Sequence, residues 1–136
     1  MAPPASSPFV RKTMQANKSK NTSPELRLRK ALREAGLVGY RLHTSLPGTP
    51  DVTYTRRRLA IFVHGCYWHR CPVCVGERLP KRNVEFWREK FRRNAERHAR
   101  AEAELAALGF KTLVVWECQI RRGDDIATVV KRMMGV

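Results

Sequence analysis

Apolar positions first fall into register at Leu28, Ala31, Leu32 and Ala35, the spacing of one helical face, and Gly36 ends the run. Thr22-Ser23-Pro24-Glu25 reads as that helix's start: a hydroxyl cap, a proline in the first turn, and a glutamate placed for a capping box. Tyr40 to Thr44 alternates like a strand, and Leu46-Pro47-Gly48-Thr49-Pro50 is a tight connection. Asp51 to Tyr54 is a short strand, Thr55 to Arg58 a basic turn, and Leu59 to Val63 a continuous apolar strand buried on both faces. A long helix is predicted from about Val84 to Leu108. Its Trp87, Phe91, Asn94, His98, Ala101, Leu105 and Leu108 share one stripe, and Gly109 stops it. Lys111 to Trp116 is a further buried strand, and Ile126, Val129, Val130 and Met133 mark a last helix. The order α-β-β-β-α-β-α predicts an α/β fold, a central mixed sheet flanked by helices.

Length allows one core, because 136 residues fit a single domain. Residues 1–21 lie outside that pattern and read as a flexible basic arm, with Met14 the one large apolar residue between Arg11 and Asn21; the domain proper is 22–136. Charge then narrows the partner. Lys and Arg number 27 against 12 Asp and Glu, a net charge of +15, which favours a polyanion. Nucleic acid is the first candidate, and no apolar run has the length of a membrane span. The first residues lack a signal peptide's apolar stretch, so a cytoplasmic protein is expected, where cysteines serve as metal ligands more readily than as disulfides.

Four cysteines carry the strongest spacing signal. Cys66, Cys71 and Cys74 share one turn-rich loop, and Cys118 follows the last strand. Four thiolates complete a closed tetrahedral zinc site, which is structural because no position stays open for water. His64 and His69 are rival ligands in the same stretch.

The acids are few. Of three aspartates, Asp124 and Asp125 open the last helix and complement its dipole, which leaves Asp51 at the start of a core strand. Phosphodiester hydrolysis uses hard oxygen ligands for Mg²⁺, and Asp51 is the natural first one, set by strand pairing close to His64 and His69. A turn-forming aspartate after proline is the plain alternative. Glu25 shares the inward face of the first helix and competes between a capping role and a site role.

Ser19–Glu25, Leu46–Asp51, Phe62–His69 with its run HGCYWH, Glu85–Trp87 and Val115–Cys118 resemble, in order and spacing, the signatures of the very short patch repair endonucleases. That resemblance implies a restriction-endonuclease-like core with a structural zinc site and Mg²⁺-dependent nicking of double-stranded DNA beside a T:G mismatch, carried out by a monomer. It implies Asp51 and the carbonyl of Val63 as Mg²⁺ ligands, His69 as general base or acid, His64 as a phosphate contact and Glu25 as an organising carboxylate. Cys66, Cys71, Cys74 and Cys118 would hold Zn²⁺, although relatives usually include a histidine. Met14, Tyr67, Trp68 and Trp87 match the residues that wedge into DNA at the mismatch, with core packing the alternative for Trp87.

After Asn94 the family has an aspartate that positions the catalytic histidine, where this chain has His98. A neutral or cationic imidazole cannot replace an anionic orienter. Either Glu102 takes over or the site is retuned. Three other readings stand beside it: a DNA endonuclease of the same fold with relaxed or no mismatch specificity, a catalytically impaired DNA-binding module, and a zinc-dependent structural or interaction protein whose basic charge is merely a solvated surface.

Overall fold

The computed structural model describes residues 21–75 and 78–136. Helix α1 spans Ser23–Glu34, strands β1, β2 and β3 span Arg41–Leu42, Val52–Tyr54 and Leu59–His64, and helix α2 spans Val84–Ala107. Strand β4 (Lys111–Trp116) leads directly into helix α3 (Glu117–Arg122), and helix α4 (Ile126–Met134) follows. The sheet order is β1-β2-β3-β4, antiparallel for the first two pairings and parallel for β3 with β4. A mixed sheet flanked by helices is therefore the observed architecture.

Side-chain alternation along β3 divides the core in two. Leu59 and Ile61 pack with Val52, Tyr54 and Val115 against Leu28 and Leu32 of α1, Ile120 of α3 and Ile126 and Val130 of α4. Ala60 and Phe62 point to the other face, where Leu105 of α2 covers them. Burying Leu28, Leu32, Leu59 or Ile61, each at most 2 % exposed, contributes about 2 kcal/mol apiece before chain entropy is counted. His64 continues the Phe62 face and so is delivered towards α2, while Val63 faces α1.

The Pro-Gly-x-Pro connection is fixed by space as much as by dihedral preference. Gly48 has φ 77°, and a Cβ there would lie 2.7 Å from Ala101 Cβ and 3.1 Å from the Phe62 ring. The loop thus lies directly on α2 and leaves Asp51 at the mouth of β2, its N–H donating to the Ile61 carbonyl at 3.0 Å.

Some sequence expectations need correction. The first strand is two exposed residues instead of Tyr40–Thr44, because His43 takes a left-handed φ of 48° and breaks the ladder. Strand β4 is only partly covered: as an edge strand it buries Val115 fully and leaves Leu113 and Val114 half-exposed. Leu108 caps α2 and is 49 % exposed, so it falls outside the buried stripe. Helix α3, six residues long, was not expected; it is too short for a period to show. Asp125 does cap the last helix, accepting from the Thr128 N–H at 3.1 Å.

Candidate active site

One cleft of about 950 Å³ gathers residues from α1, the Pro-Gly loop, β3, the cysteine loop and α2. All four histidines of the chain line it. Asp51 enters from the start of β2, and its Oδ2 accepts the Val63 N–H at 2.7 Å. That bond joins the two expected Mg²⁺ ligands, though through the amide and not the carbonyl. Burial pushes the Asp51 carboxyl up to about 6, and the nearby Glu25 charge adds to the rise, against the opposing pull of the Val63 amide, His43 and Arg29.

Glu25 caps its helix and also lines the cleft. It closes the capping box with Thr22, and it is 1 % exposed, turned inward from the first turn of α1. Arg29, one turn along, donates to Glu25 Oε1 at 2.9 Å and to Asn21 Oδ1 at 2.7 Å. His43 Nε2 meets the same Glu25 oxygen. Neither Arg29 nor His43 was singled out from sequence. Arg29 follows Glu25 by the i, i+4 interval of helix ion pairs, the one signal that pointed to it. For His43 there was only its rarity, as one of four histidines.

The other three imidazoles form a stack on the far side. His64 and His69 lie parallel, 3.8 Å between centroids and 10° between planes, and His98 of α2 meets His64 edge-on at 4.4 Å. The local fold explains the stack: a turn in which His69 N–H reaches the Gly65 carbonyl at 3.1 Å brings its ring back over His64. Burial, together with the neighbouring imidazoles, holds His64 down to about 3 and His69 to about 4, so both are neutral at pH 7. His98 is also lowered by burial, against the pull of Glu102.

Glu102 does not stand in for the missing aspartate at His69. Its Oε1 lies 3.2 Å from His98 Nε2, without the alignment of a hydrogen bond, and its Oε2 accepts from Thr112 at 3.2 Å. Asn94 donates to the Trp68 carbonyl at 3.2 Å, holding the strip that carries His69.

Beside the cleft, Tyr67, Trp68, Trp87 and Phe91 make one aromatic cluster, with Trp87 roughly parallel to Phe91 at 5.8 Å. Trp87 is 5 % exposed and forms the floor, whereas Tyr67 and Trp68 are half-exposed. Arg70 lies 4.2 Å above the Phe91 ring and 5.7 Å from the Tyr67 ring, clamping the cluster's edge. Met14 lies outside the described residues, as does the arm up to residue 20.

The four cysteine sulfurs lie within 4.8 Å of one another, Cys71 and Cys118 at 3.9 Å. Sulfurs about 2.3 Å from a tetrahedral zinc stand about 3.8 Å apart, so the set fits such an ion. Helix α3 is the device that completes it, bringing Cys118 to the loop, while Glu117 Oε1 accepts the Cys66 N–H at 3.4 Å. His64 and His69 face the cleft and take no part. Glu25, His43 and Asp51 form the second group whose ligand atoms lie within 4.8 Å of one another.

On α2, Arg88, Arg92 and Arg93 are paired with Glu85, Glu89 and Glu96. Among the described residues Arg97, which lines the cleft, has no such partner, so free positive charge sits at the site's rim. No helix among the described residues is long and apolar enough to cross a membrane.

A mixed sheet flanked by helices, with Asp51 at a strand mouth and Glu25 and neutral imidazoles beside it, is the fold of the restriction-endonuclease-like class. The catalytic domain of the homing endonuclease I-Bth0305I shares the fold, with a TM-score of 0.54 at 22 % identity over 83 % of this chain and 94 % of that domain. The chain belongs to the DNA mismatch endonuclease Vsr family, whose model matches residues 8–73. It is 41 % identical over 124 residues to the type II nicking enzyme V.XorIIP of Xanthomonas oryzae pv. oryzae, covering 90 % of this chain and 88 % of that one. The DNA mismatch endonuclease Vsr of Escherichia coli is 40 % identical over 115 residues, 85 % of this chain and 73 % of that one. This chain is accordingly a DNA endonuclease.

Proposed function

We propose that this endonuclease nicks one strand of double-stranded DNA beside a T:G mismatch, using Mg²⁺ at the cleft and Zn²⁺ at the four cysteines. The carrying observation is the meeting of Asp51, Val63 and Glu25 with the neutral His64–His69 stack in one cleft. Asp51 and the Val63 carbonyl would hold the Mg²⁺. When bound, that ion neutralises charge on the phosphate and lowers the pKa of water.

His69, unprotonated at pH 7, is suited to accept a proton from the attacking water, which favours base over acid. His64 contacts the phosphate, and a polyanion drawn against both rings raises their proton affinity during the reaction. Glu25 orients water from within the capping box. Tyr67 and Trp68 wedge the base step, supported from below by the buried Trp87, with Met14 entering from the arm. Prying open a T:G wobble costs less than opening a matched step, which makes unstacking a test of the mismatch. The excess of Lys and Arg supplies affinity for phosphate irrespective of sequence. The enzyme acts as a cytoplasmic monomer, residues 1–21 serving as its arm.

A Mg²⁺-dependent nicking assay comparing T:G and matched duplexes tests this reading. Nicking of the T:G strand that Asp51→Asn abolishes, with DNA binding kept, is the expected result. Equal cutting of both duplexes would remove the mismatch assignment and leave a general nuclease.

A further inference from the structure

His43 is the cleft histidine to which the reaction outlined above gives no work. Its side chain is 13 % exposed, and its Nε2 meets Glu25 Oε1 on the carboxylate side of the cleft, apart from the imidazole stack. Its backbone takes the left-handed φ of 48°, uncommon for a residue with a side chain, and its N–H donates to the Asp51 carbonyl at 3.3 Å. Such a conformation costs free energy that surrounding contacts must offset, and it gathers at functional sites. His43 thus bridges the two acids, Asp51 through the main chain and Glu25 through the ring.

We propose that His43 is a positioning residue of the nicking reaction: with Arg29 it saturates Glu25 Oε1, so that Oε2 is the oxygen left to orient the attacking water. The proposal deepens the reading of Glu25 as an organising carboxylate and rests on it. A carboxylate oxygen has about two lone-pair sites. Those of Oε1 are both engaged, one by an Arg29 guanidinium N–H at 2.9 Å and the other by His43. That oxygen has nothing left for an ion. His43 also stands nearer to it than two adjacent ligands of a six-coordinate ion, about 3 Å apart, would stand. Among the described residues the Thr22 N–H is the one donor to Oε2, at a long 3.4 Å, which leaves a site there for water.

The hold on Glu25 comes from two elements. Arg29 lies one turn along α1 and is itself tied to Asn21 Oδ1 at 2.7 Å, while His43 reaches across from the end of β1. A carboxylate oxygen of Asp51 lies within 4.8 Å of one of Glu25, a gap that one water spans with two ordinary hydrogen bonds. The work of the two acids is thereby divided, Asp51 serving the ion and Glu25 the water. Stability alone does not account for the arrangement. Arg29 is 8 % exposed, and its Nε has no hydrogen-bond partner among the described residues. A buried ion pair is often no more stabilising than apolar side chains of the same size. What this pair and the imidazole supply is one orientation of Glu25.

The test joins a spectrum to nicking rates, on full-length protein with its cysteine site loaded with zinc. In ¹⁵N-histidine-labelled wild type without Mg²⁺ or DNA, His43 Nε2 should carry a slowly exchanging proton, and Glu25→Gln should shift that signal. A His43 Nε2 without a proton, or a signal indifferent to Glu25→Gln, overturns the proposal. Single-turnover nicking, on whichever duplex the wild type cuts, should be about tenfold to a hundredfold slower in His43→Phe, which keeps the bulk and loses the donor. His43→Gln, with an amide N–H at similar reach, should recover most of the rate. DNA affinity and the Mg²⁺ concentration at half-maximal rate should not move in either variant. In a Glu25→Gln background His43→Phe should cost nothing further, because its effect passes through Glu25. An undiminished rate in His43→Phe, an equal loss in His43→Gln, or a full loss in the Glu25→Gln background overturns the positioning role. Recovery of His43→Phe by excess Mg²⁺ would make position 43 a ligand instead. Undiminished nicking by Glu25→Gln would overturn the organising role of Glu25 itself, and the proposal with it.

Discussion

His64 and His69 lie ring on ring, 3.8 Å apart and 10° from parallel, and His98 abuts that pair edge-on. Two neutral imidazoles can stack in this way; two imidazolium ions cannot without a nearby anion. Glu102 sits against His98 and Thr112 and so does not supply one to His69.

His98→Asp should therefore change the chemistry. A carboxylate beside the stack favours the protonated ring, raising the pKa of His69 and strengthening it as a base. The pH–rate profile for nicking should move to higher pH on its acidic limb. A profile identical to that of the wild type would show that position 98 does not couple to His69.

Stability should follow pH by two opposed routes. His64 and His69 are held to about 3 and about 4, below the 6.5 of an unfolded histidine. The unfolded chain then takes up protons that the fold refuses, so stability is full above 6.5 and is lost as pH falls towards 4 and 3. Asp51 works in reverse. With its pKa raised from 3.8 to about 6, its contribution is fully present below 3.8 and is lost as pH rises through 6. Without divalent ions, Asp51→Asn should be the more stable protein at about pH 8, by up to about 3 kcal/mol. The advantage should shrink towards about pH 5. A constant difference in Tm across that range would mean that Asp51 ionises freely in the fold.

Much of this site was legible in the sequence because its parts have local causes. The capping box at Thr22–Glu25, the alternation that turns His64 and Val63 to opposite faces and the cysteine spacing are properties of neighbouring residues. What sequence missed depends on contacts between distant segments. His43 meets Glu25, eighteen positions away, from a left-handed backbone position that alternation read as strand. For Trp87 the apolar stripe left core packing and wedging both open, and only packing shows it to be the buried floor beneath the half-buried Trp68.

Metal removal gives a third expectation. Helix α3 brings Cys118 to its three partners, so a zinc ion held there would fasten the cysteine loop to the end of β4. Cys71→Ser should release the zinc, seen by elemental analysis. Cys71 is 2 % exposed, so the lost ligand is not replaced from solvent. The loop carries His69, and nicking should fail along with zinc binding even where the sheet survives. Full activity in zinc-free protein would show that the loop holds itself.

The two tryptophans should separate by what they change. Trp87 lies under the cluster at 5 % exposure, against Phe91 and Trp68. Trp87→Ala leaves a cavity in packed aromatics, an expected loss of about 3–5 kcal/mol, visible as a lower Tm. Trp68 is half-exposed at the cleft, so Trp68→Ala should cost little stability. Its effect should appear on DNA: preference for T:G over matched duplex should fall, while the slope of log K against log salt stays nearly constant, since no phosphate contact is lost. If Trp68→Ala weakened both duplexes equally, the ring would be a general contact and the wedge would have to be sought at Tyr67.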